Sequence, residues 1–133
     1  MYQKALKIAY KAHNKQLRRD SNIPYIIHPI RVSQVFNDDF RKTIAILHDV
    51  IEDTDITFDD LRKNFSDKII NVIDCLSRRE NEQYFDYIKR LSKNEIAIEI
   101  KIADMIDNLS DTLSIQPISM INRYNKTLKM LII

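Results

Sequence analysis

Not one of the 133 residues is glycine. Tight β-hairpins need positive φ at their turn residues, and glycine supplies it without steric cost. Phosphate loops and dinucleotide-binding fingerprints need glycine to bring backbone close to phosphate. A chain lacking all of these devices excludes a P-loop or Rossmann site and leaves a helical fold. Helices can end on asparagine instead, and Asn14, Asn22, Asn37, Asn64 and Asn94 are available for that role.

The length suits one domain, residues 1–133, with a core of its own. Hydrophobic residues make up 44%, charged residues 30%, and the net charge is only +2, too small a surplus for the basic stripe of a nucleic-acid binder. Local Lys and Arg clusters can still hold a small phosphorylated ligand. Cys75, the single cysteine, has no internal disulfide partner. The N-terminus lacks the apolar stretch of a signal peptide, and no apolar run approaches the roughly 18 residues of a membrane span. The expectation is a cytoplasmic protein with no membrane and no nucleic-acid partner.

Hydrophobic spacing predicts seven or eight short helices in an all-α bundle. The first covers 2–19, with Ala5, Ile8, Ala9 and Ala12 on one face, and breaks at Arg19-Asp20-Ser21-Asn22-Ile23-Pro24. Pro29 can sit in the first turn of the second, which carries Ile30, Val32, Val35 and Phe36. A third runs over 40–52, capped by Asp38 or Asp39. Thr57-Phe58-Asp59-Asp60 reads as a capping box, and Ser66 caps the next helix. A polar loop at 77–81 precedes a helix over 82–92. The stretch 95–113 is apolar nearly all round, as central helices are. Pro117 begins the last helix, whose tail through Leu131, Ile132 and Ile133 is expected to dock on the core rather than across a dimer contact.

Four residues stand out chemically: His28 after an apolar turn, the adjacent His48 and Asp49, and Asp104 within the most apolar stretch. A carboxylate buried there costs several kcal/mol unless paired, protonated or metal-bound. Two imidazoles and two carboxylates suit a divalent ion such as Mn²⁺, Fe²⁺ or Zn²⁺. An ion that takes five or six ligands keeps a position open for a water, which it acidifies into a nucleophile. Each residue also has a structural reading: His28 as a helix-start hydrogen bonder, His48-Asp49 as a chance dipeptide, and Asp104 with Asn108 as a buried polar pair.

Order and context add to this. Pro24-Tyr25-Ile26-Ile27-His28-Pro29, Ala45-Ile46-Leu47-His48-Asp49-Val50-Ile51-Glu52-Asp53-Thr54 and Ile100-Lys101-Ile102-Ala103-Asp104-Met105-Ile106-Asp107-Asn108-Leu109 follow one another in the chain. In that order they resemble the HD superfamily of metal-dependent phosphohydrolases, and within it the RelA/SpoT-type hydrolase branch. The resemblance covers nearly the whole chain and implies a compact HD-domain helical bundle. His28, His48, Asp49 and Asp104 would be its metal ligands, with manganese the expected ion.

The resemblance also implies that Glu52 and Asp53 orient the attacking water and shuttle protons. It assigns Asn108 to the ribose of a nucleotide and Arg18 and Arg19 to its guanine and phosphates. Lys101 reads equally as a phosphate neutraliser or the partner of an acid. The chain departs from the branch in three respects. Its loop after Arg19 has no glycine, Ser110 stands where alarmone hydrolases often carry arginine, and the sequence stops where helices closing the guanine pocket would continue. Leu76-Ser77-Arg78-Arg79-Glu80 and Tyr84-Phe85-Asp86-Tyr87-Ile88 resemble compact bacterial HD proteins of the branch, and no room remains for a synthetase domain. The first expectation is a guanosine-3′,5′-bis(diphosphate) 3′-pyrophosphohydrolase. A phosphohydrolase of another nucleotide or phosphomonoester and a non-catalytic nucleotide sensor remain open, as does the oligomeric state, a homodimer included.

Overall fold

A computed structural model describes residues 1–19, 21–110 and 117–132. Asp20, the end of the expected 95–113 helix and Ile133 lie outside the described residues. Among those described the helices are α1 (Tyr2–Ala12), α2 (Ile27–Gln34), α3 (Asp39–Leu47), α4 (Val50–Asp53), α5 (Phe58–Arg62), α6 (Asp67–Leu76), α7 (Tyr84–Leu91), α8 (Glu95–Ser110) and α9 (Ile118–Ile132). The all-α reading holds. Among the described residues nine helices stand in place of eight because the expected third is split in two.

Two of the expected start signals are used. Asp38 accepts the Arg41 N–H at 2.9 Å at the head of α3. Thr57 and Asp60 exchange their capping-box bonds at the head of α5. Ser66 precedes α6 in extended backbone but makes no side-chain cap bond. Asn94 begins a helix instead of ending one: its Oδ1 accepts the Ala97 N–H at 2.9 Å.

The stops differ from expectation. Helix α1 ends at Ala12, not near residue 19, and Lys15 takes the left-handed turn at φ 71°. The chain then doubles back, with Arg18 N–H donating to the Ile23 carbonyl and Tyr25 N–H to the Gln16 carbonyl, both at 2.8 Å. Among the described residues the other positive φ belongs to Asn81, at 65°. Lys15 and Asn81 therefore take the left-handed turns in place of the five asparagines named above.

The most enclosed helix is α3, where Thr43, Ile44, Ala45, Ile46 and Leu47 have no exposed surface. It packs against α1, α2, α6 and α8. The expected centre, α8, buries Ala97, Ile100, Lys101, Ala103, Asp104 and Met105 on one side while exposing Ile106 and Leu109. The C-terminal helix docks in part: Tyr124, Thr127 and Leu131 are buried against neighbours that include α7 and α8, while Ile132 is 68% exposed. No described helix is long and apolar enough to cross a membrane.

Candidate metal centre

The centre forms where α2, the end of α3 and α8 meet. The first turn of α2 presents His28, fully buried. The expected helix over 40–52 breaks at the ligand pair, because the apolar spacing that suggested continuity does not register a tightened turn. The His48 N–H reaches the Ala45 carbonyl at 3.4 Å, and Asp49 sits at φ −102°, ψ −5° before the single turn of α4. The same turn lets His48 Nδ1 bond to the Ala45 carbonyl at 2.5 Å, leaving Nε2 inward. Helix α8 contributes Asp104, 5% exposed.

These four side chains converge. His28 Nε2 lies 2.7 Å from Asp104 Oδ1 and 3.7 Å from Asp49 Oδ2. His48 Nε2 lies 3.3 Å from Asp104 Oδ1 and 3.1 Å from Asp49 Oδ2. One ligand atom from each residue fits within 4.8 Å of all the others. The Tyr25 hydroxyl donates to Asp49 Oδ2 at 2.6 Å, and Lys101 Nζ donates to Asp104 Oδ2 at 3.0 Å.

Electrostatics test whether a cation fits. Burial alone would depress both imidazoles, yet Asp104 and Asp107 raise His28, and Asp49 and Asp104 raise His48 well above the usual histidine range. Burial works against the carboxylates too, but Lys101 and the imidazoles hold Asp104 well below its ordinary value. His48, with His28 alongside, holds Asp49 down. The carboxylates therefore call for positive charge where the two Nε2 atoms point. Nitrogen and oxygen donors, enclosed and charge-deficient, fit a divalent ion.

Of the two acids expected to move protons, Glu52 lines a pocket of about 200 Å³ with His48, Asp49 and Asp104. Its carboxylate accepts the Arg78 backbone N–H, and burial raises its pKa. Asp53 faces a neighbouring cleft of about 590 Å³, which shares Glu52 and Arg78 with the metal pocket. Burial, then the charges of Asp49 and Glu52, raises the Asp53 pKa to about 6.

Three of the four expected substrate residues gather near Asp104. Arg18, 5% exposed, donates to Asn108 Oδ1 at 3.0 Å. Asn108 Nδ2 reaches the Tyr124 hydroxyl at 3.1 Å and Asp104 Oδ1 at 3.4 Å. Lys101 lies in the metal pocket. The fourth, Arg19, places its Nη1 2.6 Å from Met120 Sδ on α9.

Sequence reasoning missed several residues. Arg78 and Arg123 join Lys101 around the Tyr84 ring, with their Cζ atoms 5.7 and 4.4 Å from its centroid and Lys101 Nζ at 5.9 Å. Arg78, Tyr84 and Arg123 all line the metal pocket. Asp107 Oδ2 lies 2.6 Å from His28 Nδ1. Spacing held a signal for Asp107, one helical turn after Asp104. It held none for Arg123, which only the packing of α9 brings in.

The HD domain family model matches residues 5–118. The guanosine-3′,5′-bis(diphosphate) 3′-pyrophosphohydrolase of Borreliella burgdorferi is 38% identical over 86% of this chain, which covers 19% of that protein. The MESH1 enzyme of the same name from Drosophila melanogaster is 32% identical over 83% of this chain, which covers 68% of it. The chain spans under a fifth of the length of the relatives from Borreliella burgdorferi, Mycobacterium leprae and Aquifex aeolicus. Among solved structures, one described as a metazoan ortholog of SpoT that hydrolyzes ppGpp superposes with a TM-score of 0.82 at 27% identity, over 98% of this chain and 83% of that one. By family match, by its MESH1 relative and by fold, this chain belongs to the HD-domain family, in the branch that holds those relatives.

Proposed function

We propose that the chain hydrolyses the 3′-pyrophosphate of a guanosine alarmone, (p)ppGpp, with manganese as its ion. One observation carries the reading: three of the four His–Asp ligands (His48, Asp49 and Asp104), the Glu52 carboxylate and three cations face one pocket. Names borne by the relatives supply the substrate.

His28, His48, Asp49 and Asp104 would hold the ion. Bound there, it supplies Lewis acidity to a phosphoryl oxygen and makes water acidic enough to attack at neutral pH. Glu52, its pKa raised by burial and its carboxylate fixed by the Arg78 N–H, takes the proton of the attacking water. Water attacks the phosphorus joined to the ribose 3′ oxygen, the bond between them breaks, and that oxygen leaves with a proton. Asp53, with a pKa of about 6, is protonated often enough near neutrality to supply it.

The pocket of about 200 Å³ has room for a pyrophosphate group rather than a whole nucleotide. The nucleoside then lies along Arg18, Asn108 and Tyr124. Lys101, Arg78 and Arg123 counter the phosphate charge, which favours a pyrophosphorylated substrate over a simple monoester. One cysteine without an internal partner is consistent with a cytoplasmic setting.

Purified protein with Mn²⁺ should be assayed against ppGpp and a nucleotide panel, beside Asp49→Ala and Glu52→Gln. Pyrophosphate release from ppGpp is expected, abolished in Asp49→Ala. Glu52→Gln should keep its metal and lose about 10²- to 10⁴-fold in kcat. Turnover of other nucleotides but not ppGpp would replace the substrate. No turnover of any would overturn the enzyme reading in favour of a sensor.

A further inference from the structure

One imidazole is held at both nitrogens by one helix. Asp104 and Asp107 stand three residues apart on α8, so their side chains share a face. Asp104 Oδ1 meets His28 Nε2 at 2.7 Å, and Asp107 Oδ2 meets His28 Nδ1 at 2.6 Å. The facing helix α2 repeats the spacing with His28 and Arg31. Arg31 Nε donates to Asp107 Oδ1 at 2.7 Å and its Nη2 to Oδ2 at 3.3 Å, a two-pronged grip that fixes the carboxylate plane. Arg18 Nη2 approaches the same Oδ2 to 3.7 Å, and through Nη1 it holds Asn108.

We infer that Asp107 is the positioning residue of the metal centre, fixing His28 for the ion and joining it to the Arg18–Asn108 wall. Its carboxylate accepts the His28 Nδ1 proton, so the Nε2 lone pair points into the ligand cluster. A carboxylate behind a ligating histidine fixes ring orientation and makes the ligand more basic. His48 is held in the same sense but by the uncharged Ala45 carbonyl. The two histidines thus form an asymmetric pair, with His28 the more strongly donating. Asp107 does not line the metal pocket itself; it acts through His28 and Arg18.

The inference rests on the metal-site reading, and its main readout needs no substrate, so it fails or stands apart from the alarmone assignment. Mn²⁺ affinity is measured by calorimetry for wild type, Asp107→Asn and Asp107→Ala, with folding checked by circular dichroism. Asn keeps an acceptor for the Nδ1 proton without the charge, so a graded result is expected. Asn should weaken Mn²⁺ binding about tenfold and Ala by up to about 100-fold. Loss of the Arg18 anchor should also raise KM for ppGpp in Asp107→Ala. Mn²⁺ affinities of folded Asn and Ala variants within threefold of wild type would overturn the inference. Should Ala not fold, Asn alone decides it.

Discussion

Two clusters of charge in this molecule differ in what they still require. At the junction of α6 and α7, Arg90 spends its donors on Glu82, at 2.9 Å through both Nε and Nη2, and on the carbonyls of Asp74 and Ser77 at 3.0 Å. Each group has its partner, and the knot ties the 77–83 loop to both helices. The metal centre does not close in this way. Asp49 and Asp104 draw positive charge onto His28 and His48 despite deep burial, even with Lys101 already bonded to Asp104. A cluster satisfied by its own residues is scaffold, whereas one that pulls protons onto its imidazoles has a place for a cation.

Three substitutions would break or sharpen this contrast. The largest effect is expected from Asp104→Ala, which removes the ligand shared by both histidines and should cut hydrolysis at least about 10³-fold. It also leaves Lys101 buried without its carboxylate, costing roughly 3 kcal/mol even without metal. Melting curves with and without Mn²⁺ check both claims. At a hundredfold excess over Kd the wild type should gain about 2.7 kcal/mol and the variant nothing. An equal gain in both would remove Asp104 from the ligand set.

Arg90→Met should cost about 2 kcal/mol of stability in urea melts, through lost charge-assisted bonds, and leave Mn²⁺ affinity unchanged. The knot also has a pH signature. Hydrogen bonds from Arg90 lower the Glu82 pKa from 4.5 to about 2. Its stabilisation is therefore complete above pH 4.5 and is lost as pH falls toward 2. Wild type should lose more stability than Arg90→Met across that window; parallel curves would count against the pairing. The smallest effect belongs to Lys15→Gly, which relieves a left-handed backbone at φ 71°. A gain of at most about 1 kcal/mol is expected, because glycine also costs chain entropy, with metal affinity untouched.

Much of the scaffold was legible because its signals are local. The Thr57–Asp60 capping box, the Asp38 cap and the apolar faces of α6 and α7 each act within a few residues. Helix stops were less legible. Without glycine the left-handed turns fell to Asn81, a residue type suited to them, and to Lys15, whose identity does not announce that role. The break at His48-Asp49 was hidden for another reason. Apolar residues continue through it at helical spacing, and only the His48 bond to the Ala45 carbonyl marks the tightened turn.

The candidate site divides along the same line. Sequence alone determined that the fold is helical, that His28, His48, Asp49 and Asp104 form the ligand candidates, and that Glu52 and Asp53 follow one turn behind the pair. Glycine absence, helical period and motif order are properties of the chain itself, readable before it folds. Tertiary structure decided that Glu52 shares the metal pocket while Asp53 faces the next cleft, and that Arg19 turns to Met120. Packing alone brings Arg78 and Arg123 to one tyrosine ring and sets Asp107 behind His28. The reason is physical. Most of these contacts join residues tens of positions apart, and their side-chain directions depend on how α2, α8 and α9 pack, which no local spacing encodes.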